Sequence, residues 1–137
     1  MNTRFRLGIS AFALSVAGVF AAPAQGAVTV IGGGIARSCD EAVEYSKVTE
    51  ERSVQICNTA LQQESMTRRN RAATLTNRGI LFMRMGDHDK ALADYSRSIR
   101  LMPELLESKV NQGAALYGLG RCEDAMHALN AGVYTDS

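Results

Sequence analysis

The stretch TNRGILFMRMGDHDKALADYSRSIRLMP, Thr76 to Pro103, decides how this chain folds, because its pattern returns 34 residues later. Asn77 recurs as Asn111, Gly79 as Gly113, Gly86 as Gly120 and Ala91 as Ala125. Apolar positions keep the same register: Phe82 with Leu116, Met85 with Leu119, Leu92 with Met126, Tyr95 with Leu129, and Ile99 with Val133. A fixed period of this length is the mark of stacked helical units, since each unit has an apolar face that only a neighbour covers.

Within the first copy, Leu75, Gly79, Phe82 and Gly86 form one stripe of a helix expected over Arg71–Met85. Gly86-Asp87-His88-Asp89 breaks it, because Gly accepts a left-handed turn and Asp caps the helix that follows. The next helix, expected over Asp89–Leu101, turns Ala91, Leu92, Tyr95 and Ile99 inward and stops before Pro103. The second copy repeats this with helices expected from Glu104 to Leu119 and from Glu123 to about Tyr134. Upstream, Ser38–Ser46 and Arg52–Gln63 read as a further hairpin outside the 34-residue register, since aligning Cys57 and Leu61 with Tyr95 and Ile99 needs an offset of 38. The expected fold is all-α, an α-solenoid of three antiparallel helical hairpins. Its units are a divergent capping hairpin at 38–71, a full repeat at 72–105 and an incomplete one at 106–137.

The first 24 residues stand apart. Arg4 and Arg6 precede an apolar run, Leu7 to Ala22, and Ala22-Pro23-Ala24 supplies the small residues of a cleavage site, so 1–24 reads as a signal peptide cut after Ala24. The alternative is an uncleaved anchor, for which 16 weakly apolar residues are short of the ~20 that span a bilayer. Cleavage would leave an exported, most simply periplasmic, chain with no membrane span. Residues 25–37 then form a flexible, Gly-rich segment. Val28 to Ala36 imitates a dinucleotide-binding turn, but Arg37 stands where a third small residue is needed and no second strand with its carboxylate follows.

Of 15 Lys and Arg residues, 13 remain after Arg4 and Arg6 are removed, against 14 Asp and Glu, a net charge of −1. That balance carries no footprint for nucleic acid. Positive charge gathers only at Arg68, Arg69, Arg71 and Arg78. In an exported chain three cysteines suggest one bridge and one leftover. Cys39 and Cys57 lie nine residues either side of Val48 and face each other across a hairpin, provided their Cα atoms come within about 7 Å; two reduced, buried thiols are the alternative. Cys122 has no evident mate.

The residues from Leu75 to Pro103 resemble a tetratricopeptide repeat. Leu75, Arg78-Gly79, Phe82, Ala91, Tyr95 and Pro103 fall at the family's spacing, with Gly79 and Ala91 small where helices cross closely. Arg78 departs from the apolar preference, so its head must reach solvent or a carboxylate. The second copy keeps Gly113, Leu116, Ala125 and Leu129, has Lys109 where Leu75 stood, and lacks a terminal Pro. The resemblance implies a concave side, built from first helices, that holds a partner protein or peptide.

On that side the spacing places Ala73, Thr76, Asn77, Ile80, Met83 and Arg84, then Glu107, Val110, Asn111, Ala114, Tyr117 and Gly118. Asn77 and Asn111 are either partner contacts or groups that satisfy a nearby loop carbonyl. Family members that grip a terminal carboxylate use a basic pair beside such an Asn; Glu107 and Asn111 occupy those places, which argues against a carboxylate clamp. His88 and His127 lie in different repeats, and no His-Glu pair at metal-binding spacing, nucleophile elbow or phosphate loop occurs. The expectation is a non-enzymatic binding module without cofactor or metal. The rival is a self-assembling unit, because Met126, Leu129 and Val133 on the last helix have no further helix to cover them.

Overall fold

A computed structural model describes residues 26–29, 34–45, 48–63 and 65–133 of the chain. The segment expected to be a signal peptide, with its cleavage site, lies outside the described residues. Among the described residues there are six α-helices: α1 (Ile35–Tyr45), α2 (Glu50–Gln63), α3 (Arg68–Arg84), α4 (His88–Leu101), α5 (Leu106–Gly118) and α6 (Cys122–Val133). Each packs on its neighbours in sequence, and α1 touches α3 as α3 touches α5. This is the all-helical stack of hairpins that the period predicts. The leading hairpin joins it as a full member, although its sequence runs out of register.

The two turns inside the repeats are copies of one another. Gly86 and Gly120 have φ of +76° and +73°. Around the first, the Gly86 N–H donates to the Met83 carbonyl at 3.0 Å and the Asp87 N–H to Phe82 at 2.8 Å; around the second, Gly120 donates to Tyr117 and Arg121 to Leu116, both at 2.9 Å. These are Schellman closures, which require the left-handed residue that Gly supplies without strain. Asp87 then caps α4, accepting from the Lys90 N–H. The Lys90 ammonium beside it holds its carboxyl below the ordinary range.

Close crossings also recur. A Cβ on Gly79 would sit 2.5 Å from Tyr95 Cε1, and one on Gly113 would sit 2.7 Å from Leu129 Cγ. Tyr95, Ala91, Ile80, Leu81, Val54, Cys39, Cys57 and Ala115 share one buried cluster, with Phe82 partly buried against it. Leu75, Leu116 and Ala125 are buried, Ile99 is half-buried, and Pro103 lies in the exposed turn before α5. Leu129 departs from the expected core: it is 38% exposed because nothing stacks outside α6 among the described residues.

Arg78 finds the carboxylate it needs. Its Nε and Nη2 donate to the two oxygens of Asp94, both at 2.7 Å, and its Nη1 donates to Asn58 Oδ1, also at 2.7 Å. Where α3, α4 and α5 meet, three fully buried hydroxyls gather. Thr76 donates to Ser98 at 2.9 Å, Ser108 lies 2.6 Å from Thr76 and 2.8 Å from Ser98, and Ser98 donates to the Ala72 carbonyl at 2.9 Å. Cys39 and Cys57 are joined in a disulfide across α1 and α2, with Cα atoms 4.7 Å apart. Cys122 is free and exposed.

Helix bounds shift from expectation chiefly at the amino-terminal ends. Helix α1 begins at Ile35, inside the segment expected to be flexible, and α2 begins at Glu50. Helix α3 starts at Arg68 because Thr67 caps it, its side chain accepting from Asn70 N–H at 3.1 Å. Helix α5 starts only at Leu106, since Pro103 and Glu104 are used in the turn.

Candidate functional site

The first helices α1, α3 and α5 line one side of the stack, and the short segment Gly26–Thr29 lies along it. Val28 donates its N–H to Asn77 Oδ1 and accepts from Asn77 Nδ2, both at 2.9 Å. One repeat later, Asn111 Nδ2 donates to the Gly26 carbonyl at 3.2 Å. The Val28 side chain is 4% exposed and packs with Ala36, Ala72, Ala73 and Leu105. At these four residues the segment is therefore held, not free, because two helix-borne amides and a small apolar pocket satisfy it.

This changes the expected groove. Ala73, Thr76, Asn77 and Ile80 are all fully buried, and Asn111 is 2% exposed. Ala73 sits under Val28, Thr76 belongs to the hydroxyl triad, and Ile80 is sealed between α1 and α5. The sequence placed these residues on an open face because what covers them lies elsewhere in the chain: Gly26–Thr29 over Ala73, Asn77 and Asn111, α1 and α5 beside Ile80, and Ser98 and Ser108 against Thr76. Arg84 is exposed, but its Nη1 donates to the Val43 carbonyl at 3.0 Å and approaches Glu50 at 3.8 Å, so it ties the end of α3 to the end of α1. Asn77 and Asn111 do satisfy loop carbonyls, as one of the two readings of them had it.

What stays open is the second repeat's half. Glu107, Val110 and Tyr117 are exposed, Tyr117 at 72%, and Ala114 and Met83 are half-buried. Val110, Ala114 and Tyr117 on α5, with Met126 and Leu129 on α6, line an apolar cleft of about 690 Å³ walled by Met83 and His88. Its α6 side was legible only as uncovered surface. His88 Nδ1 lies 3.3 Å from the Met83 sulfur, which makes the ring part of a packed wall.

One contributor to the site was not foreseen. Asp40, buried on α1, accepts from Asn77 Nδ2 at 3.1 Å. A carboxylate can only accept, so it fixes which end of the Asn77 amide carries the hydrogens and turns the carbonyl end to the Val28 N–H. Nothing in the sequence around Cys39-Asp40 signals this, because its partner lies 37 residues away.

The opposite face carries the arginines. Arg71, Arg78, Arg97 and Arg100 surround an open cleft of about 420 Å³ floored by Leu61, Leu75 and Leu101. Arg71 donates to the Leu61 carbonyl at 3.1 Å and Arg78 is bound to Asp94, so two of the four are held by the protein itself. Among the described residues no group of three or more His, Cys, Asp or Glu is placed to hold a metal ion, and no helix is long and apolar enough to cross a membrane.

The 34-residue spacing is repeated in space by paired turns, paired crossings and paired asparagines. Residues 70–131 match the tetratricopeptide repeat family. A comparison with curated proteins finds no match. The tetratricopeptide match spans α3 to α6 and leaves out the leading hairpin, which stacks on α3 all the same. Tetratricopeptide repeats are typically non-enzymatic modules for protein–protein interaction, and that general role is the one the match supports.

Proposed function

We propose that this protein is an exported adaptor whose concave side holds an extended segment of a partner protein. The observation that carries the reading is the pair of amides, Asn77 and Asn111, one repeat apart and already bound to main-chain groups of the alternate residues Val28 and Gly26. Beside them lies the apolar surface of Val110, Ala114 and Tyr117, available for a partner's side chains. Export rests on the amino-terminal pattern of Arg4, Arg6 and the apolar run to Ala22, and a buried disulfide is at home in an oxidising compartment. Crosslinking in intact cells followed by mass spectrometry names the neighbour; recovery of that neighbour on the protein is then compared with recovery on an Asn111→Ala/Tyr117→Ala variant. Loss of recovery is expected, and equal recovery removes the groove from the account.

A second reading is self-assembly through the uncovered end of the stack. Met126 is 65% and Leu129 38% exposed, on the face where a further hairpin would pack. Light scattering over a range of concentrations separates the two, since a strict monomer at high concentration ends this alternative.

A further inference from the structure

We propose that the groove is closed in cis: Gly26–Thr29 is an internal stand-in for the partner, and the true ligand is an extended peptide that displaces it. The proposal rests on the groove reading above and names both the ligand's chemistry and the regulation of the same site.

Asn77 engages both main-chain groups of a single residue, the Val28 N–H and C=O, at 2.9 Å each. Asn111 takes the carbonyl of the residue two before it, Gly26. In an extended chain, residues i and i+2 present their polar groups on the same edge, so two amides on neighbouring first helices contact one edge as a strand would. Such recognition is indifferent to side chains, and any extended segment satisfies it. Selectivity comes from what surrounds each side-chain position. The Val28 side chain is enclosed by Ala36, Ala72, Ala73 and Leu105, a site that suits a small aliphatic group. Gly26 is exposed, and a Cβ added there would stand 3.8 Å from Glu107 Cγ, an ordinary contact. A basic residue at that place gains a carboxylate that glycine leaves unused. Ala27, between Gly26 and Val28, is half-buried against the cluster of Cys39, Val43 and Ile80, so the preferred ligand reads basic–small–small aliphatic, in extended form, and the chain's own segment is a weaker version of it.

The closed form is displaceable. Among the described residues, three hydrogen bonds, the buried Val28 and the half-buried Ala27 hold four residues whose ordering is itself unfavourable. Because the segment is tethered to α1, it occupies the site at high local concentration, and a peptide in solution binds with an affinity reduced by the fraction of open groove.

The probe is a fluorescein-labelled peptide, Gln-Gly-Ala-Val-Thr-Val-Ile, together with a version carrying Lys in place of its Gly, titrated by anisotropy into the full-length chain. Val28→Asp places a charge in the apolar pocket and expels the segment. The expected result is at least tenfold tighter binding to Val28→Asp than to the unaltered chain, a further gain of three- to tenfold for the Lys peptide, and loss of both when Asn77→Ala and Asn111→Ala are added. A Val28→Asp protein that keeps its helical circular dichroism and gains less than twofold overturns closure. Should that variant not fold, hydrogen exchange at the Val28 amide decides in the unaltered chain: protection that falls when the Lys peptide is added supports the proposal, and an unprotected amide, or protection the peptide leaves unchanged, overturns it. Failure here with partner recovery still dependent on Asn111 and Tyr117 leaves the adaptor reading standing. The converse pattern, peptide gain without partner dependence, removes the adaptor reading and keeps the closed groove.

Discussion

Replacing Arg78 with Met tests whether the ion pair inside the first repeat is a structural tie. The guanidinium side chain is 15% exposed and the Asp94 carboxylate 3%, so water can do little to replace either partner. The methionine keeps most of the apolar stem against Phe82 but leaves a nearly buried carboxylate facing nothing of opposite charge, which costs about 3–5 kcal/mol. Asn58 loses its partner as well, although it is half-buried and water can reach it. The paired change Arg78→Met/Asp94→Leu removes both charges and substitutes apolar contact, and it is expected to fall within about 1 kcal/mol of the unaltered chain. Guanidinium unfolding followed at 222 nm, run as a double-mutant cycle with the Asp94→Leu single variant, measures the coupling directly. With a denaturant slope of about 2–6 kcal/mol per molar, the Arg78→Met midpoint should drop by roughly 1 M. A loss below about 1 kcal/mol would place the pair among ordinary surface ion pairs and refute the reasoning.

Four further outcomes follow from the core. Tyr95 has a buried hydroxyl without a hydrogen-bond partner among the described residues, so Tyr95→Phe should leave stability equal or raise it by up to about 1 kcal/mol in thermal unfolding. Burial, and then the charge of Asp94, push the Tyr95 phenol well above its ordinary pKa. Above pH ~10 the unfolded chain therefore ionises Tyr95 while the folded chain does not, and stability falls by about 1.4 kcal/mol per pH unit until the folded phenol also titrates; Tyr95→Phe should remove that slope. Gly79→Ala forces a Cβ to within 2.5 Å of the Tyr95 ring and should cost about 1–3 kcal/mol, which the double variant Gly79→Ala/Tyr95→Leu should partly restore in the same unfolding assay. Reducing the Cys39–Cys57 bridge, 18 residues apart, should cost about 3 kcal/mol, read as a lower midpoint in the presence of dithiothreitol.

The elements that rest on local chemistry were legible. Gly86 and Gly120 end their helices where their spacing said, and Tyr95 and Leu129 fill the gaps beside Gly79 and Gly113. Arg78, out of place in an apolar stripe, points to the carboxylate that its charge demands. The cysteine pairing followed from the symmetry of a hairpin. The concave side was harder, because what covers it comes from elsewhere in the chain. Val28 reaches Asn77 across 49 residues and Gly26 reaches Asn111 across 85, and no periodicity records such distances. Thr76 and Ile80 carry the right spacing for an exposed face, and only packing against α3 makes them interior, by α4 and α5 at Thr76 and by α1 and α5 at Ile80. Thr67 was missed as a cap because the stripe it precedes begins several residues later.

The cluster of Thr76, Ser98 and Ser108 acts as a latch between the two repeats. Rotating α5 by one residue would bring Glu107 or Lys109 into a space shaped for a small hydroxyl, and would take Ser108 away from Thr76 and Ser98, which keep only each other and the Ala72 carbonyl. Turning this joint costs both hydrogen bonds to Ser108, which favours one rotation of α5 over its neighbours. The interval between Asn77 and Asn111 is held by the same joint, and the side built from the first helices becomes a ruler with two marks, one read by Val28 and the other by Gly26.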